Sequence, residues 1–270
     1  MAPRPGVKAA SRCLTSLDQA ISSKNEASIN DMASTCEAIL NQYDEMLKIK
    51  HKDLHTLNNQ CESFAEKWRN DENHAFCSYD ELITVIEWKF AKGKARPMLW
   101  KKIKSNPKAL VKTATESAFE KAAKLNNESS EKDIKAALEE IVSDLNGIGP
   151  ASASAILSLY KPEIFAFMDD EVLEAITGDR KYTMKAYLQM NGECSRLAKA
   201  LGDEWNVRSV GKALWSAARI SLCDDRDDLT LGQNKEKKSQ SDQGGKEGKK
   251  HREDSVESER SQPRQRRRVK

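Results

Sequence analysis

The residue types that could do chemistry gather around two glycines in the second half of the chain. Residues 145–150 read Leu-Asn-Gly-Ile-Gly-Pro and stand between two stretches with helical periodicity. Gly147 and Gly149 permit a tight turn with positive φ, Ile148 anchors the turn in the core, and Pro150 suits the first position of a helix. Backbone N–H groups at such a helix start favour anions. The pattern predicts either a phosphate-binding hairpin or a plain turn between two helices. The binding residues of that hairpin would be Gly147, Ile148, Gly149 and Ala151.

A single carboxylate follows this turn at a defined distance. Asp169 stands 20 residues beyond Gly149, directly after the apolar residues Phe167 and Met168 and before another stretch with helical periodicity. A carboxylate in this position can activate a water molecule or stabilise a developing positive charge. It is also a good N-cap, because aspartate accepts backbone N–H groups in the first helical turn and suits the helix dipole. Both interpretations stay open on the sequence alone.

The turn and the aspartate together resemble the helix-hairpin-helix DNA glycosylases of base-excision repair. The resemblance covers residues 130–222, and it rests on the glycine turn, the small-residue helix after it, and the spacing to the aspartate. In that family a catalytic aspartate follows the second hairpin glycine at this distance, which implies Asp169 as the catalytic residue. It also implies that the hairpin binds the backbone of double-stranded DNA.

The chain departs from that family at several positions. Ala151 stands where members with lyase activity carry a lysine, and no cysteine quartet of the iron–sulfur members follows Arg219. The resemblance therefore implies a monofunctional DNA N-glycosylase, without cofactor or metal, that removes a damaged or mismatched base. Asp170 and Glu171 follow the aspartate, and their charges would repel a phosphate backbone unless they face away from it. The alternative is a non-catalytic DNA-binding or protein-interaction module that keeps the glycosylase-like fold.

A second candidate surface is a basic segment in the first half of the chain. Residues 80–112 contain nine Lys or Arg and three acidic residues, although residues 1–232 as a whole carry 32 basic and 35 acidic residues. Basic residues that alternate with aromatic ones are typical of nucleic-acid surfaces. The alternative is a solvated helix end, where cations suit the helix dipole. The residues that we expect to contact DNA are Lys89, Lys92, Lys94 and Arg96.

The last part of the chain differs in composition from the rest. Residues 233–270 contain 13 Lys or Arg, seven Asp or Glu, and only two aliphatic side chains, Val256 and Val269. Such a segment cannot bury enough apolar surface to fold, so we expect a disordered tail over 232–270. A basic run near its end predicts nuclear import and therefore a nuclear protein, whereas a merely soluble tail is the alternative. That run consists of Arg264, Arg266, Arg267 and Arg268.

The elements that must position these residues are helices. Apolar residues recur at spacings of three and four, no stretch alternates as a strand does, and aromatic residues make up 6% of the chain. The sequence predicts an all-α helical bundle with a helix-hairpin-helix motif. We expect a mostly flexible N-terminus over 1–28 with a short helix from Leu14 to Ile21, a helical half over 29–125 that carries the basic segment, and a hairpin half over 126–231. One long helix is expected over 29–49.

Other classes are disfavoured by what the chain does not contain. No window approaches 18 consecutive apolar residues, and residues 1–10 lack an apolar signal core, so we expect neither a membrane span nor secretion. The six cysteines form no CxxC pair and do not cluster with histidines, which indicates reduced thiols and no metal site. We expect a monomer whose partner is DNA and not a membrane.

Overall fold

Helices account for the regular structure throughout the part of the chain that the computed structural model describes, residues 5–71 and 74–223. No strand occurs in these ranges, which confirms the all-α prediction. The helices are α1 (Pro5–Ser23), α2 (Glu26–Leu40), α3 (Tyr43–Lys50), α4 (Leu54–Asn70), α5 (Tyr79–Lys92), α6 (Pro97–Lys104), α7 (Lys108–Ala123), α8 (Glu131–Asp144), α9 (Pro150–Tyr160), α10 (Asp170–Thr177) and α11 (Met184–Leu201). Residues 207–223 form a further helix, α12, up to the last described position.

Helix α9 lies at the centre of the core. Every residue from 151 to 159 is buried, and six of these nine are alanine or serine. Such small side chains let neighbouring backbones approach closely, so α9 packs against α4, α5, α7, α8 and α11. The helix that begins at the glycine turn is therefore fixed from several sides, and so is its N-terminus.

Local signals explain where several helices begin. Ser78 precedes α5 and Ser130 precedes α8, and each forms a capping box. The serine side chain accepts a hydrogen bond from the backbone N–H group three residues later, and the acidic side chain of that later residue accepts one from the serine N–H group. Pro97 and Pro150 occupy the first positions of α6 and α9. These caps fix the register of the helices that carry the candidate site.

The N-terminal part of the chain differs from the prediction. Instead of a mostly flexible start, α1 forms a 19-residue helix that packs on α2 and α10. Its buried face comprises Val7, Ala10, Leu14, Leu17 and Ala20. The regular three- and four-residue spacing of these small and aliphatic side chains produces that face. The expected long helix over 29–49 is divided into α2 and α3, with a turn at Asn41 and Gln42.

The predicted halves 29–125 and 126–231 share one hydrophobic core where the structure describes them. The core runs from Leu14 in α1 to Trp215 in α12, and the described residues belong to one compact unit. In these ranges no helix is both long and apolar enough to span a membrane. The predicted disordered tail at 232–270 lies outside the described residues, and so does its basic run of Arg264, Arg266, Arg267 and Arg268.

Candidate functional site

The glycine turn joins α8 to α9 in five residues. Gly147 has φ +78°, a conformation that favours glycine. A Cβ atom at this position would lie 3.0 Å from Lys102 Cβ and 3.1 Å from Ile103 Cγ1, so α6 leaves no room for a side chain. Ile148 is buried, as predicted. Gly149 has an extended backbone with φ −113°, and a Cβ atom there would meet nothing within 4 Å.

A buried asparagine locks this turn to the loop after α6. Asn106 Nδ2 donates a hydrogen bond of 2.9 Å to the carbonyl of Asn146, and Asn106 Oδ1 accepts one of 2.8 Å from the Asn146 N–H group. The pair of bonds satisfies both main-chain groups of the residue before Gly147. Consequently the loop after α6 is joined to the turn, a connection that sequence spacing did not indicate.

Asp169 occupies the N-cap position of α10 but does not cap the helix with its side chain. Its carboxylate instead accepts a hydrogen bond from the ammonium group of Lys92 at the end of α5. The preceding residue is held in place because the Met168 N–H group donates to Ser154 Oγ, at 3.1 Å. The side chains of Lys92 and Asp169 are only 2% and 5% exposed. The aspartate that the sequence singled out is therefore half of a buried ion pair.

Lys92 lies inside an aromatic cage, which we define as Tyr43, Trp88, Phe167 and Trp215. Its ammonium nitrogen is 4.3 Å from the ring centre of Trp215 and between 5.0 and 5.6 Å from the other three. Cation–π attraction of this kind strengthens when water is excluded. The prediction that Lys92 belongs to an exposed DNA-contacting patch is wrong. The lysine points into the core because it is one turn after Trp88 on the same helix face.

The protonation states of the pair follow from burial and mutual attraction. Burial alone would lower the pKa of Lys92, but the charge and hydrogen bond of Asp169, together with the contact to Tyr43, outweigh it and hold that pKa above its usual value. Burial raises the pKa of Asp169 to about 6, against the opposing attraction of Lys92. At neutral pH the lysine is therefore protonated and the carboxylate ionised.

The two acids after Asp169 also have cationic partners. Asp170 accepts hydrogen bonds from Arg180 Nη1 at 2.7 Å and from the Tyr182 hydroxyl at 2.6 Å. Glu171 pairs with Arg219 of α12. Together with the Lys92 pair, these contacts place a cation beside each member of the acidic run. The paired cations therefore weaken the repulsion that these acidic side chains were expected to exert on a phosphate backbone.

A cleft of about 170 Å³ lies where the turn, the basic segment and Asp169 meet. The segment 93–99 after α5 forms one wall, the start of α9 forms the second, and residues 167–170 form the floor. Lys94 and Arg96 are exposed at its rim, and the Arg96 guanidinium lies over the ring of Tyr182 at 5.1 Å. The predicted site residues that line it are Lys89, Lys94, Arg96, Gly149, Ala151 and Asp169.

Lys89 differs from the other cations of the cleft. Burial lowers its pKa to about 8, while the nearby charge of Asp170 opposes this shift. The ammonium group of Lys89 therefore begins to lose its proton just above neutral pH. Of the other predicted residues, Gly147 and Ile148 do not line the cleft but shape the turn, and Lys92 lies beneath it.

Sequence reasoning missed Asp170, Tyr182 and Arg180 as parts of this site. All three lie after the aspartate, and they form one polar group on the cleft side of α10. Asp170 was visible only as a departure from the family pattern, and nothing in the spacing of Tyr182 linked it to Asp170. In the described ranges no set of three or more His, Cys, Asp or Glu side chains is placed to hold a metal ion. Comparison of the chain with protein-family models, curated proteins and solved structures finds no match.

Proposed function

We propose that this protein binds double-stranded DNA through the backbone, with the cleft as the binding site. One observation carries the proposal. The glycine turn and Asp169, which the family resemblance links by their spacing, lie tens of residues away from the basic segment, yet all three contribute to the same cleft. A concave surface on which a few charged and polar groups converge is the usual form of a binding site. On this proposal the α8–α9 turn is a helix-hairpin-helix motif.

The chemistry of the walls suits a phosphate. The N-terminus of α9 supplies the positive end of a helix dipole, and Lys94 and Arg96 supply exposed cations on the facing wall. Backbone amides and flexible cations bind phosphates without reading base sequence. We therefore expect affinity for unrelated duplexes to be similar and to fall steeply with salt.

Charge reversal tests the proposal, because the chain offers a control with the same change in net charge. Lys94→Glu with Arg96→Glu should weaken duplex binding and reduce the magnitude of the salt slope by about 1.8, since each lost phosphate contact releases roughly 0.9 fewer counterions. Lys52→Glu with Lys185→Glu, at two exposed lysines that do not line the cleft, should change binding far less. Fluorescence anisotropy over a salt series measures both. Equal effects of the two double variants would refute binding at the cleft.

A second variant tests the turn itself. Gly149→Asp adds a negative charge beside the proposed phosphate, and the open space around this residue lets the protein fold around the new side chain. We expect weaker binding to every duplex with an unchanged helical circular dichroism spectrum. Unchanged binding by the folded variant would remove the turn from the site.

Removal of a base from DNA is a second candidate function, favoured by the two carboxylates at the floor of the cleft. Asp169 and Asp170 both line the space where the sugar of an extruded nucleotide would lie. An ionised carboxylate there would stabilise the positive charge that develops as the glycosidic bond breaks. Lys92 and Arg180 compensate these same carboxylates, which favours the non-catalytic DNA-binding alternative.

A base-release assay separates these two candidates. Duplexes with single damaged or mismatched bases would be incubated with the wild type, with Asp169→Asn and with Asp170→Asn. Base release that Asp169→Asn abolishes while DNA binding persists would support the glycosylase activity. Binding without release from any lesion would leave the non-catalytic module as the function.

A further inference from the structure

Aromatic rings and lysines alternate along a strip of surface that begins beside the cleft and runs over α6 to the starts of α5 and α7. We define this aromatic–lysine row by its members, which are Phe90, Trp100, Tyr79, Phe76, Lys104, Lys108 and Lys112. The rings are half-buried and the lysines are exposed. None of these residues, all in the described part of the chain, lines the cleft. The row is therefore a surface additional to the proposed duplex site.

The row is connected to the cleft through Lys89. This lysine lines the cleft, and its ammonium nitrogen lies 5.0 Å from the ring centre of Phe90. Phe90 in turn contacts Trp100 edge to face, with the two ring centres 5.8 Å apart. The ammonium nitrogen of Lys104 lies 4.7 Å from the ring centre of Trp100. A continuous chain of contacts therefore leads from the cleft to the end of α6.

The second part of the row lies on α7 and around the start of α5. The Tyr79 hydroxyl donates a hydrogen bond of 3.0 Å to the carbonyl oxygen of Lys104, which joins this part to the first. The ammonium nitrogen of Lys108 lies 5.5 Å from the ring centre of Tyr79, and that of Lys112 lies 4.7 Å from the ring centre of Phe76. Lys108 and Lys112 are four residues apart on α7, so they project from the same side of the helix.

Most of the positive charge in the row has no acidic partner. Residues 88–115 contain no Asp or Glu, and within the described ranges Lys104 and Lys112 form no ion pair. The carboxylate that faces the row from α5 is Asp80, whose oxygen lies 3.7 Å from the Lys108 ammonium nitrogen. The two side chains are 83% and 74% exposed, and an ion pair so exposed contributes little. The row therefore offers its charge to an anionic partner.

We infer that the aromatic–lysine row binds single-stranded DNA that continues from the duplex at the cleft. A duplex keeps the faces of its bases stacked inside, whereas a single strand exposes both its bases and its phosphates. Partly exposed rings suit the bases, and the lysines between them suit the phosphates. The inference rests on the proposed function for the position of the duplex, and it adds a second surface with a different ligand.

The lysines that cover the rings can make way for the bases. Cation–π attraction at an exposed site is weak, so an ammonium group can leave a ring for a neighbouring phosphate while a base takes its place on the ring. The long side chain of lysine makes this exchange possible without movement of the helix. In the absence of DNA the rings hold the ammonium groups in a row, close to the positions where the phosphates would lie.

The experiment compares a blunt duplex with the same duplex carrying a single-stranded overhang of about eight thymidines at its 3′ or its 5′ end. Affinities for the full-length protein are measured by fluorescence anisotropy over a salt series. At least one overhang should strengthen binding by about tenfold, equivalent to about 1.4 kcal/mol. Lys108→Glu with Lys112→Glu should abolish this gain and reduce the magnitude of the salt slope on the overhang duplex by about 1.4, because each lost single-strand phosphate contact releases about 0.7 fewer counterions. Lys52→Glu with Lys185→Glu, at exposed lysines outside the row, should keep the gain.

Variants without a new charge test the rings. Phe76 lies outside the hydrophobic core formed by the described residues, so its replacement should leave the fold intact. Phe76→Leu should reduce the gain from the overhang from about tenfold to about twofold, with an unchanged salt slope, since it removes one stacking surface. Phe76→Tyr should keep the gain. Asp80→Asn should strengthen binding of the overhang duplex by about twofold, because it removes the carboxylate beside Lys108.

The outcomes separate this inference from the proposed function. Equal affinity of the wild type for blunt and overhang duplexes would overturn the inference while leaving duplex binding at the cleft intact. Weakening of both duplexes by the same factor in Lys108→Glu with Lys112→Glu would mean that the row binds duplex backbone, and the assignment to a single strand would be wrong. A full overhang gain in Phe76→Leu would likewise overturn base stacking on the row. Binding of the overhang duplex without binding of the blunt duplex at low salt would instead refute the proposed function, and loss of that binding in the row variants would support the row.

Discussion

Replacing Lys92 by methionine tests the buried ion pair. Methionine has a similar length and fits the aromatic cage without bringing in a charge, but it leaves the carboxylate of Asp169 without its partner. Burial already raises the pKa of Asp169 from 3.8 to about 6, and the attraction of Lys92 opposes that rise. In Lys92→Met the pKa of Asp169 must therefore rise further.

The magnitude follows from proton linkage. A carboxyl group whose pKa is higher in the folded than in the unfolded state binds its proton more tightly when folded. Its contribution to stability is therefore complete below about pH 4 and is lost as pH rises towards the folded pKa, at about 1.4 kcal/mol for each pH unit. In the wild type this loss ends near pH 6 and amounts to about 3 kcal/mol. In Lys92→Met it continues above pH 6, so the two proteins diverge by about 1.4 kcal/mol at pH 7 and by at most about 3 kcal/mol at pH 8.

Urea unfolding at pH 5, 6, 7 and 8, followed by tryptophan fluorescence, measures this divergence. The double variant Lys92→Met with Asp169→Asn is the control, because it lacks the titrating carboxyl group and should show no such pH dependence above pH 6. Any constant difference in packing cancels, since only the change with pH is compared. Parallel stability curves for the wild type and Lys92→Met between pH 6 and 8 would refute the reasoning.

Three further predictions concern the cleft, the turn and the tail. Because burial lowers the pKa of Lys89 to about 8, duplex affinity should fall about twofold to fivefold between pH 7 and 9, and Lys89→Arg should flatten this change in an anisotropy titration. Gly147→Ala should cost at least about 1 to 2 kcal/mol in urea unfolding, owing to its positive φ and the contact with α6, whereas Gly149→Ala should cost much less. Residues 233–270 fused to a neutral reporter should carry it into the nucleus, and a cytoplasmic reporter alongside nuclear full-length protein would contradict this prediction.

Much of the helical framework could be predicted from local patterns. Three kinds of signal act over only one or two helical turns, so the sequence alone identifies them. They are the three- and four-residue spacing of apolar side chains, the serines before α5 and α8, and the prolines at the first positions of α6 and α9. The glycine turn belongs to the same class, since positive φ at Gly147 is a local requirement. Of the N-terminal helix only the segment from Leu14 to Ile21 was predicted, because the part before it buries little more than Val7 and Ala10 and is covered by α10, which is distant in sequence.

The side-chain partners within the site could not be predicted in this way. Lys92 and Asp169 are separated by 77 residues, and nothing in either local sequence indicates that one neutralises the other. Lysine on a helix end predicts solvent exposure on average, because burial of an unpaired ammonium group is costly. Only the fold brings a carboxylate and four aromatic rings to the same place. Their contacts with the ammonium group make the buried position of Lys92 more favourable than an exposed one.

The pairing of the acidic run also explains how an acidic fold can present a cationic cleft. Residues 1–232 carry an excess of three negative charges, which by itself would oppose contact with DNA. However, interactions at a binding surface are dominated by charges within about 10 Å, the screening length at 0.1 M salt. Near the cleft, Asp169, Asp170 and Glu171 are each beside a cation, whereas Lys94 and Arg96 remain exposed at the rim. The electrostatic potential at the cleft therefore depends on which acidic side chains already have a cationic partner. The net charge of residues 1–232 does not indicate what the cleft binds.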